Sequence, residues 1–344
     1  MSVRVGVIGA GLMGSTHIRL LSRQVSSAEV VAVSDAVTGN AERIAEEVGA
    51  GTIHAAGEDL IRDPAVDAVV IASPAVTHEP FVLACLTAGK PVLCEKPLGA
   101  TTEASRRVLE AEAALGRQLV QVGFMRRYDP AYTDMKRRLD DGVVGTPVLV
   151  HCRHRNANPP SFFTTEMLIT DSVVHEIDAL RWLLGEEIAR VRVITPRSSD
   201  RAPRGLRDPQ LLIFETDSGV VADVEVFVSA QYGYDVHCEV VADSGTLTLA
   251  SPAGVCVRRD ERLAVEVPTG FGERFATAYT HEMQQWVTSI LEGRRFSPSA
   301  WDGYAADMVS AASLRSLACD DAVDVRVGDR PDFYAVEPRL ASSA

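Results

Sequence analysis

Val3-Arg4-Val5-Gly6-Val7-Ile8-Gly9-Ala10-Gly11-Leu12-Met13-Gly14 is the stretch that decides the fold. Its first six residues form a short β-branched run bounded by glycine, which reads as a strand. The G-x-G-x-x-G that follows opens a helix-like pattern. Glycines at this spacing permit a tight turn and let backbone N–H groups approach a pyrophosphate at the positive N-terminus of a helix. The same three glycines also arise in ordinary turns, so context has to decide. Asp35 supplies it, because it closes the next strand-like run about 20 residues on. A carboxylate there accepts hydrogen bonds from adenosine ribose hydroxyls and repels a 2′-phosphate. A turn residue at a strand end is the plainer use of Asp35. Gly9, Gly11, Leu12, Met13, Gly14 and Asp35 are thus candidate cofactor-binding residues, and they suit NAD rather than NADP.

Working outward, the runs Val30 to Ser34, Ala68 to Ala72, Pro91 to Cys94 and Leu119 to Val122 continue as strands, with helical patterns near 12–24, 38–48, 78–88 and 102–115. Strands apolar on both faces, alternating with helices, predict a doubly wound parallel sheet. After about residue 145 the texture changes. Pro147 to His154, Ala189 to Ile194, Gln210 to Glu215, Val220 to Val228, Tyr234 to Ala242 and Thr246 to Leu249 alternate apolar and polar, and Asp217-Ser218-Gly219 and Asp243-Ser244-Gly245 mark turns between strands. This predicts an open, mainly antiparallel sheet, flanked by helices at about 165–184, 272–292 and 302–318. The expected fold is α/β: a Rossmann domain over 1–122 and an α+β domain for substrate and oligomerisation over 123–337. Pro196 to Pro209 reads as a surface loop, and the tail after about Glu337 as frayed.

Composition removes whole classes of function. At 344 residues, with 46% hydrophobic and 24% charged residues, the chain is an ordinary globular protein without need of disulfide or metal staples. No apolar run approaches the roughly 18 residues of a membrane helix. A net charge of -13 gives no electrostatic reason to bind nucleic acid. Met1 runs straight into the first strand with neither a cationic leader nor an Arg-rich presequence, which predicts a cytoplasmic protein. The scattered Cys85, Cys94, Cys152, Cys238, Cys256 and Cys319 show no C-x-x-C pair, read as reduced and mostly buried, and give no metal site. Lys90, Lys96 and Lys136 are the only lysines in an Arg-rich chain. A lysine there marks a place for an amine that can lose its proton, although any one of them also serves as a leftover surface charge.

Two further segments carry chemistry. Ser73, Pro74 and His78 follow the strand from Ala68, and Glu95-Lys96-Pro97 follows the strand from Val92, both at the carboxyl edge where doubly wound sheets bind ligands. Pro97 fixes φ and holds the Lys96 backbone in one pose. In Asp171-Ser172-Val173-Val174-His175-Glu176-Ile177-Asp178, the residues Val173, Ile177, Leu180 and Leu184 form a core stripe, while Asp171, His175, Asp178 and Trp182 form a second. A carboxylate one turn from an imidazole orients it and raises its basicity, as a base for an alcohol proton requires. The same spacing suits a solvent-facing ion pair. It is not a zinc-protease helix, since H-E-x-x-H is incomplete.

Gly9 to Gly14, Glu95-Lys96-Pro97 and the Asp171-x-x-x-His175 helix together resemble the glucose-fructose oxidoreductase and inositol dehydrogenase superfamily. The resemblance covers almost the whole chain. Gly123-Phe124-Met125-Arg126-Arg127-Tyr128-Asp129, His151-Cys152-Arg153-His154-Arg155-Asn156, Gln231-Tyr232-Gly233-Tyr234-Asp235 and Ala300-Trp301-Asp302-Gly303-Tyr304 are similar to its inositol 2-dehydrogenase branch. The resemblance implies NAD-dependent oxidation of a ring hydroxyl of myo-inositol to the ketone. It also implies a catalytic set of Lys96, Asp171 and His175, with His175 as base, Asp171 orienting it, and Lys96 touching the substrate oxygen and the nicotinamide ribose. Arg126, His154, Asn156, Tyr234 and Tyr279 then become candidates for holding ring hydroxyls, and the open sheet is expected to pair subunits into a homotetramer. One departure stands out. Ala157-Asn158-Pro159-Pro160-Ser161-Phe162-Phe163 carries two prolines and two aromatics where a more polar loop is expected, which fits a bulkier or less hydroxylated cyclitol. Competing readings are a dehydrogenase for an aminocyclitol, scyllo-inositol or hexose, a non-catalytic NAD or sugar sensor, and NAD-dependent glycoside hydrolysis.

Overall fold

The computed structural model describes residues 2–250 and 256–335. The expected frayed tail lies outside them. The chain divides into two units, one of residues 1–125, 279–307 and 328–344, the other of residues 126–278 and 308–327.

The first unit begins β1 (Val3–Ile8), α1 (Leu12–Arg23), β2 (Ala28–Ser34), α2 (Thr38–Val48), β3 (Thr52–His54), α3 (Gly57–Arg62), β4 (Ala68–Ile71), α4 (His78–Ala88), β5 (Val92–Glu95), α5 (Thr102–Leu115) and β6 (Val120–Gly123). Its six strands lie in the order β3-β2-β1-β4-β5-β6, all parallel. That is the doubly wound dinucleotide-binding order, with its switch point between β1 and β4, where ligands sit beyond the strand ends. β4 and β5 are buried along their whole length because helices cover both faces. β3 and α3 escaped the sequence reading: β3 is three residues long and largely exposed, so it carries no apolar signature.

One feature of this unit departs from a boundary at residue 122. Met283, Trp286, Val287 and Phe296, from a distant part of the chain, belong to the same apolar cluster as Val3, Val5, Val33, Ile44 and Leu93. Trp286 is fully buried there, and truncating such a side chain costs about 3–5 kcal/mol. Helical periodicity marks Met283, Trp286, Val287 and Ile290 as an apolar stripe. It does not say which core the stripe joins.

The second unit contains α6 (Pro130–Asp140), β7 (Pro147–Arg155), α7 (Val174–Leu184), β8 (Ile188–Ile194), β9 (Gln210–Thr216), β10 (Val221–Phe227), β11 (Asp235–Ala242) and β12 (Gly245–Thr248). Asp129 caps α6, accepting from Ala131 N and Tyr132 N at 3.2 Å each, with Pro130 at the first position. Its sheet runs β12-β11-β7-β10-β9-β8, extended by β15 (Val323–Asp324); a small hairpin, β13 (Val257–Arg259) and β14 (Arg262–Ala264), stands apart. The sheet is mostly antiparallel, but β7 and β10 pair in parallel. A period of two reports which face is buried and is silent on strand direction. α8 (Phe271–Arg274), α9 (Ala276–Glu292) and α10 (Ala300–Cys319) complete the helices.

Candidate active site

The loop from Gly9 to Gly14 is shaped by what its glycines would otherwise strike. Gly9 has φ of 95°, and a Cβ there would lie 2.6 Å from the backbone of Ala72 and Ser73; one on Gly14 would fall 1.8 Å from Gly9 O. Those two glycines serve the fold. Gly11 is different, since a Cβ on it would meet nothing within 4 Å. It is also the N-cap of α1, whose first turn has no side-chain cap and no acidic residue. Backbone N–H groups at a helix start beside open space are what a pyrophosphate requires. Asp35 braces this loop, accepting from Ala10 N at 2.6 Å and from Val37 N at 2.8 Å. It lies directly after β2, the position from which the sequence assigned it a ribose contact.

The ends of β4 and β5 are tied together within the same unit. The ring of His78 is buried, with Nδ1 2.7 Å from Pro97 O and Nε2 2.8 Å from Ser73 O. Burial lowers its pKa, so the neutral ring donates to one of these carbonyls at a time. Ser73 Oγ bonds Thr77 Oγ1 at 2.6 Å. Glu95 turns inward: its carboxylate meets His17 Nε2 at 2.7 Å and Lys96 N at 3.2 Å. Burial would raise the Glu95 pKa, but the His17 bond and the nearby positive charges hold it below the ordinary value. Gly99 N and Ser105 Oγ both donate to the buried Asp307, whose pKa burial pushes up to about 7. The backbone around Lys96 is therefore gripped on both sides. The other two lysines have ordinary work, Lys90 donating to Asp63 O and Lys136 pairing with Asp140 one helical turn on.

In the second unit Asp171 sits in a π-helical turn, Leu168–Val173, that runs directly into α7. π-turns are rare and concentrate at functional sites. His175 follows in the first turn of α7 with 8% exposure, so it does not belong to a solvent-facing ion pair. Asp178 is equally hidden and binds Arg127 through two bonds of 2.7 and 3.0 Å. Between them Glu176, which the sequence reading assigned no task, forms a buried pair with Arg126 at 2.5 Å. Burial opposes its charge, yet Arg126 and then His154 bring the Glu176 pKa down to about 2.

Arg126 and His154 thus face Glu176 inside the unit, with His154 Nδ1 3.1 Å from Glu176 Oε1 and 3.2 Å from an Arg126 nitrogen. They are anchors of α7 in this structure, where the sequence pointed to direct hydroxyl contacts. Tyr234 meets His154 edge-on at 5.6 Å, and burial pushes its pKa up to about 12. Asn156 directly follows β7, with its Oδ1 buried and lacking a hydrogen-bond partner, as suits an acceptor for a hydroxyl. Tyr279, in the first unit, packs edge-on against His17 at 5.9 Å. A cleft of about 330 Å³ opens elsewhere, among Thr146, Val148, Glu186 and Ser218; it contains none of these residues and no acid–base pair, so side-chain chemistry locates the site better than cavity size.

Comparison with known proteins fits this layout. The model of the oxidoreductase family, NAD-binding Rossmann fold, matches residues 3–124, and that of the GFO/IDH/MocA C-terminal domain matches residues 132–248. Inositol 2-dehydrogenase 1 of Saccharopolyspora erythraea is 53% identical over 97% of this chain and 99% of its own. The chain belongs to the GFO/IDH/MocA oxidoreductase family. The inositol 2-dehydrogenase of Klebsiella pneumoniae is 43% identical over 97% of this chain and 99% of its own. The myo-inositol dehydrogenase of Lactobacillus casei, solved with NAD(H) and myo-inositol, superimposes with a TM-score of 0.94 at 38% identity, covering 97% of this chain and all of that one.

This GFO/IDH/MocA member is an NAD-dependent dehydrogenase, and Gly11 leaves open space at the start of its α1. Two buried polar groups, one in each unit, went unseen in the sequence. His17 was detectable, because it falls on the stripe of α1 that holds Gly14, Ile18 and Leu21, where a polar residue needs a buried partner. Glu176 left no such trace, since a glutamate in a first helical turn is ordinary.

Proposed function

We propose that the enzyme oxidises a ring secondary hydroxyl of a cyclitol, with myo-inositol converted to 2-keto-myo-inositol. The observation that carries this is, within the second unit, a buried imidazole, His175, one residue from the Arg126–Glu176 anchor, in a chain whose first unit leaves open space at Gly11. His175 takes the hydroxyl proton, and Asp171, in the preceding π-turn, orients and supports the ring. Lys96, on its gripped segment, steadies the oxygen as negative charge develops on it. NAD, when bound, accepts the hydride from the carbinol carbon. Asn156 offers a buried acceptor for a neighbouring hydroxyl, with Arg126, His154, Tyr234 and Tyr279 shaping the surroundings. Ser73, Pro74, His78 and Glu95 shape the cofactor side together with Leu12 and Met13.

The relatives and the structural neighbour named above support this substrate. A second reading has its own support. A scyllo-inositol dehydrogenase of Lactobacillus casei, solved with NAD(H) and scyllo-inositol, has a TM-score of 0.87 at 26% identity, covering 94% of this chain and 99% of its own. Phe162 is 69% exposed in the Ala157–Phe163 loop, which favours a less hydroxylated or aminated cyclitol if that loop contacts substrate. Initial rates of NADH formation with myo-inositol, scyllo-inositol, D-glucose and an aminocyclitol separate these. A kcat/KM for myo-inositol at least tenfold above the rest is expected; preference for an aminocyclitol would move the assignment to the loop.

The proposal includes a cytoplasmic homotetramer. On the outer face of the second unit's sheet, Leu149, Leu211, Ile213, Val221 and Val241 are only partly covered, and they alternate with ion pairs such as His151–Asp223 and Arg155–Glu225. Light scattering behind size exclusion should give four chains; a monomer at micromolar concentration would refute the assembly.

A further inference from the structure

Glu95 is a carboxylate buried where an apolar side chain would cost less. Taking a carboxylate out of water is expensive unless hydrogen bonds and opposite charge compensate it. Here the compensation comes from two specific places. His17 Nε2 reaches it from α1 at 2.7 Å, and Lys96 N donates to it from the next residue of the chain at 3.2 Å. His17 is fully buried, and its Nδ1 has no hydrogen-bond partner, so the polarity of the ring is spent on Glu95. The opposite wall is Gly123, where a Cβ would come within 3.1–3.2 Å of the Glu95 carboxylate group. α1 is the helix capped by Gly11, and β5 is the strand that ends in Glu95, directly before Lys96.

We infer that His17 and Glu95 form a positioning pair that holds the Lys96 backbone in fixed relation to the helix on which the cofactor is cradled. This rests on the reading of Lys96 as a catalytic residue. Neither His17 nor Glu95 is asked to touch substrate. Their task is to remove the freedom of the peptide from which the Lys96 side chain springs, since a displacement of about 1 Å at a reacting group can cost a hundredfold in rate. The pair works with two other restraints on the same segment, Pro97 O against His78 and Gly99 N against Asp307. It is the one that reaches across to α1.

The test is a double-mutant cycle read in kcat, in the KM for myo-inositol and in NAD affinity. His17→Phe keeps ring volume and the packing on Tyr279 but loses the bond, and Glu95→Ala removes the acceptor. Each single variant is expected to lose about 30-fold in kcat at saturating NAD, a loss that any weakening of NAD binding does not account for. The double variant should be no more than about threefold worse than the poorer single one, because both break one interaction. Glu95→Gln and His17→Gln retain polar atoms at the required reach and should recover most of the loss, and His17→Asn, too short to reach, should not. Normal kcat in folded His17→Phe and Glu95→Ala, with only the melting temperature lowered, would overturn the inference; so would losses that multiply in the double variant. Should either disruptive variant fail to fold, the contrast between His17→Gln and His17→Asn decides the matter. Lys96→Ala is measured alongside. If it keeps wild-type turnover, the catalytic reading of Lys96 fails first; if it is inactive while the cycle is flat, only the positioning role fails.

Discussion

The Gly9–Gly14 loop of the first unit is shaped by backbone, the surroundings of α7 in the second by buried charge. In the Gly9–Gly14 loop the decisive quantities are space and φ: Gly9 and Gly14 are forced by backbone atoms 2.6 and 1.8 Å from where a Cβ would stand, and Gly11 is left open. Around α7 the decisive quantities are ion pairs. Arg126–Glu176 and Arg127–Asp178 are both almost wholly hidden, and each takes one residue from the Gly123–Asp129 segment and one from the helix that carries His175. The lesson concerns what a substitution removes. A backbone site fails by collision, locally and without charge, whereas a buried ion pair that loses one member leaves the other charge stranded.

The largest effect is expected where chemistry and neither kind of scaffold is removed. Lys96→Ala should lower turnover by about a thousandfold, while NAD still quenches protein fluorescence with near wild-type affinity; equal loss of binding would place Lys96 on the cofactor side of the comparison. Glu176→Ala comes next. It strands Arg126 and should cost about 3–5 kcal/mol of stability by urea titration. The pH dependence has a definite sign. Since the folded Glu176 pKa lies near 2, below its ordinary value of 4.5, its contribution is complete above pH 4.5 and is lost as the pH falls towards 2. The variant should therefore lack that part of the acid transition, and an unchanged acid limb would break the charge account of the second unit.

Gly11→Ala sharpens the other half. With nothing near the added methyl group, the melting temperature should stay within about 2 °C, while NAD affinity drops about tenfold or more as the methyl group enters the cradle. A stable variant with normal NAD affinity would refute the cradle. Asp35→Ser should be milder, relaxing the preference for NAD over NADP by about tenfold, and an unchanged ratio of kcat/KM values would remove Asp35 from cofactor choice. The last effect concerns Asp307. Its folded pKa is raised from 3.8 to about 7, so its own contribution to stability is full below pH 3.8 and declines until the pH passes 7. Asp307→Asn should flatten the melting temperature between pH 5 and 8 by several degrees, since about two pH units of linkage correspond to about 2–3 kcal/mol.

Legibility followed the same division. The strand, the glycine spacing and Asp35 were readable because a Rossmann turn imposes residue types at fixed offsets. The parallel character of the sheet was readable from strands apolar on both faces; the order β3-β2-β1-β4-β5-β6 came from the structure, and β3 itself was too short and exposed to see. In the second unit, alternation gave the strands but not the parallel pairing of β7 with β10. His175 and Asp171 stand out by their spacing, and the resemblance made Arg126 and His154 candidates for ring hydroxyls, but no pattern announced that both side chains contact Glu176. A buried ion pair links residues about 50 positions apart, and nothing local in either segment records that link. The membership of Trp286 in the first unit's core was hidden for the same reason.

The most direct measurement of the proposed chemistry is deuterium transfer from myo-inositol labelled at carbon 2, incubated with the enzyme and NAD at alkaline pH. Reduced cofactor carrying one deuterium per turnover, with ketone formed in equal amount, is the expected result. Tight NAD binding with no deuterium in the cofactor, or release of a free sugar from a glycoside without net NADH, would contradict it.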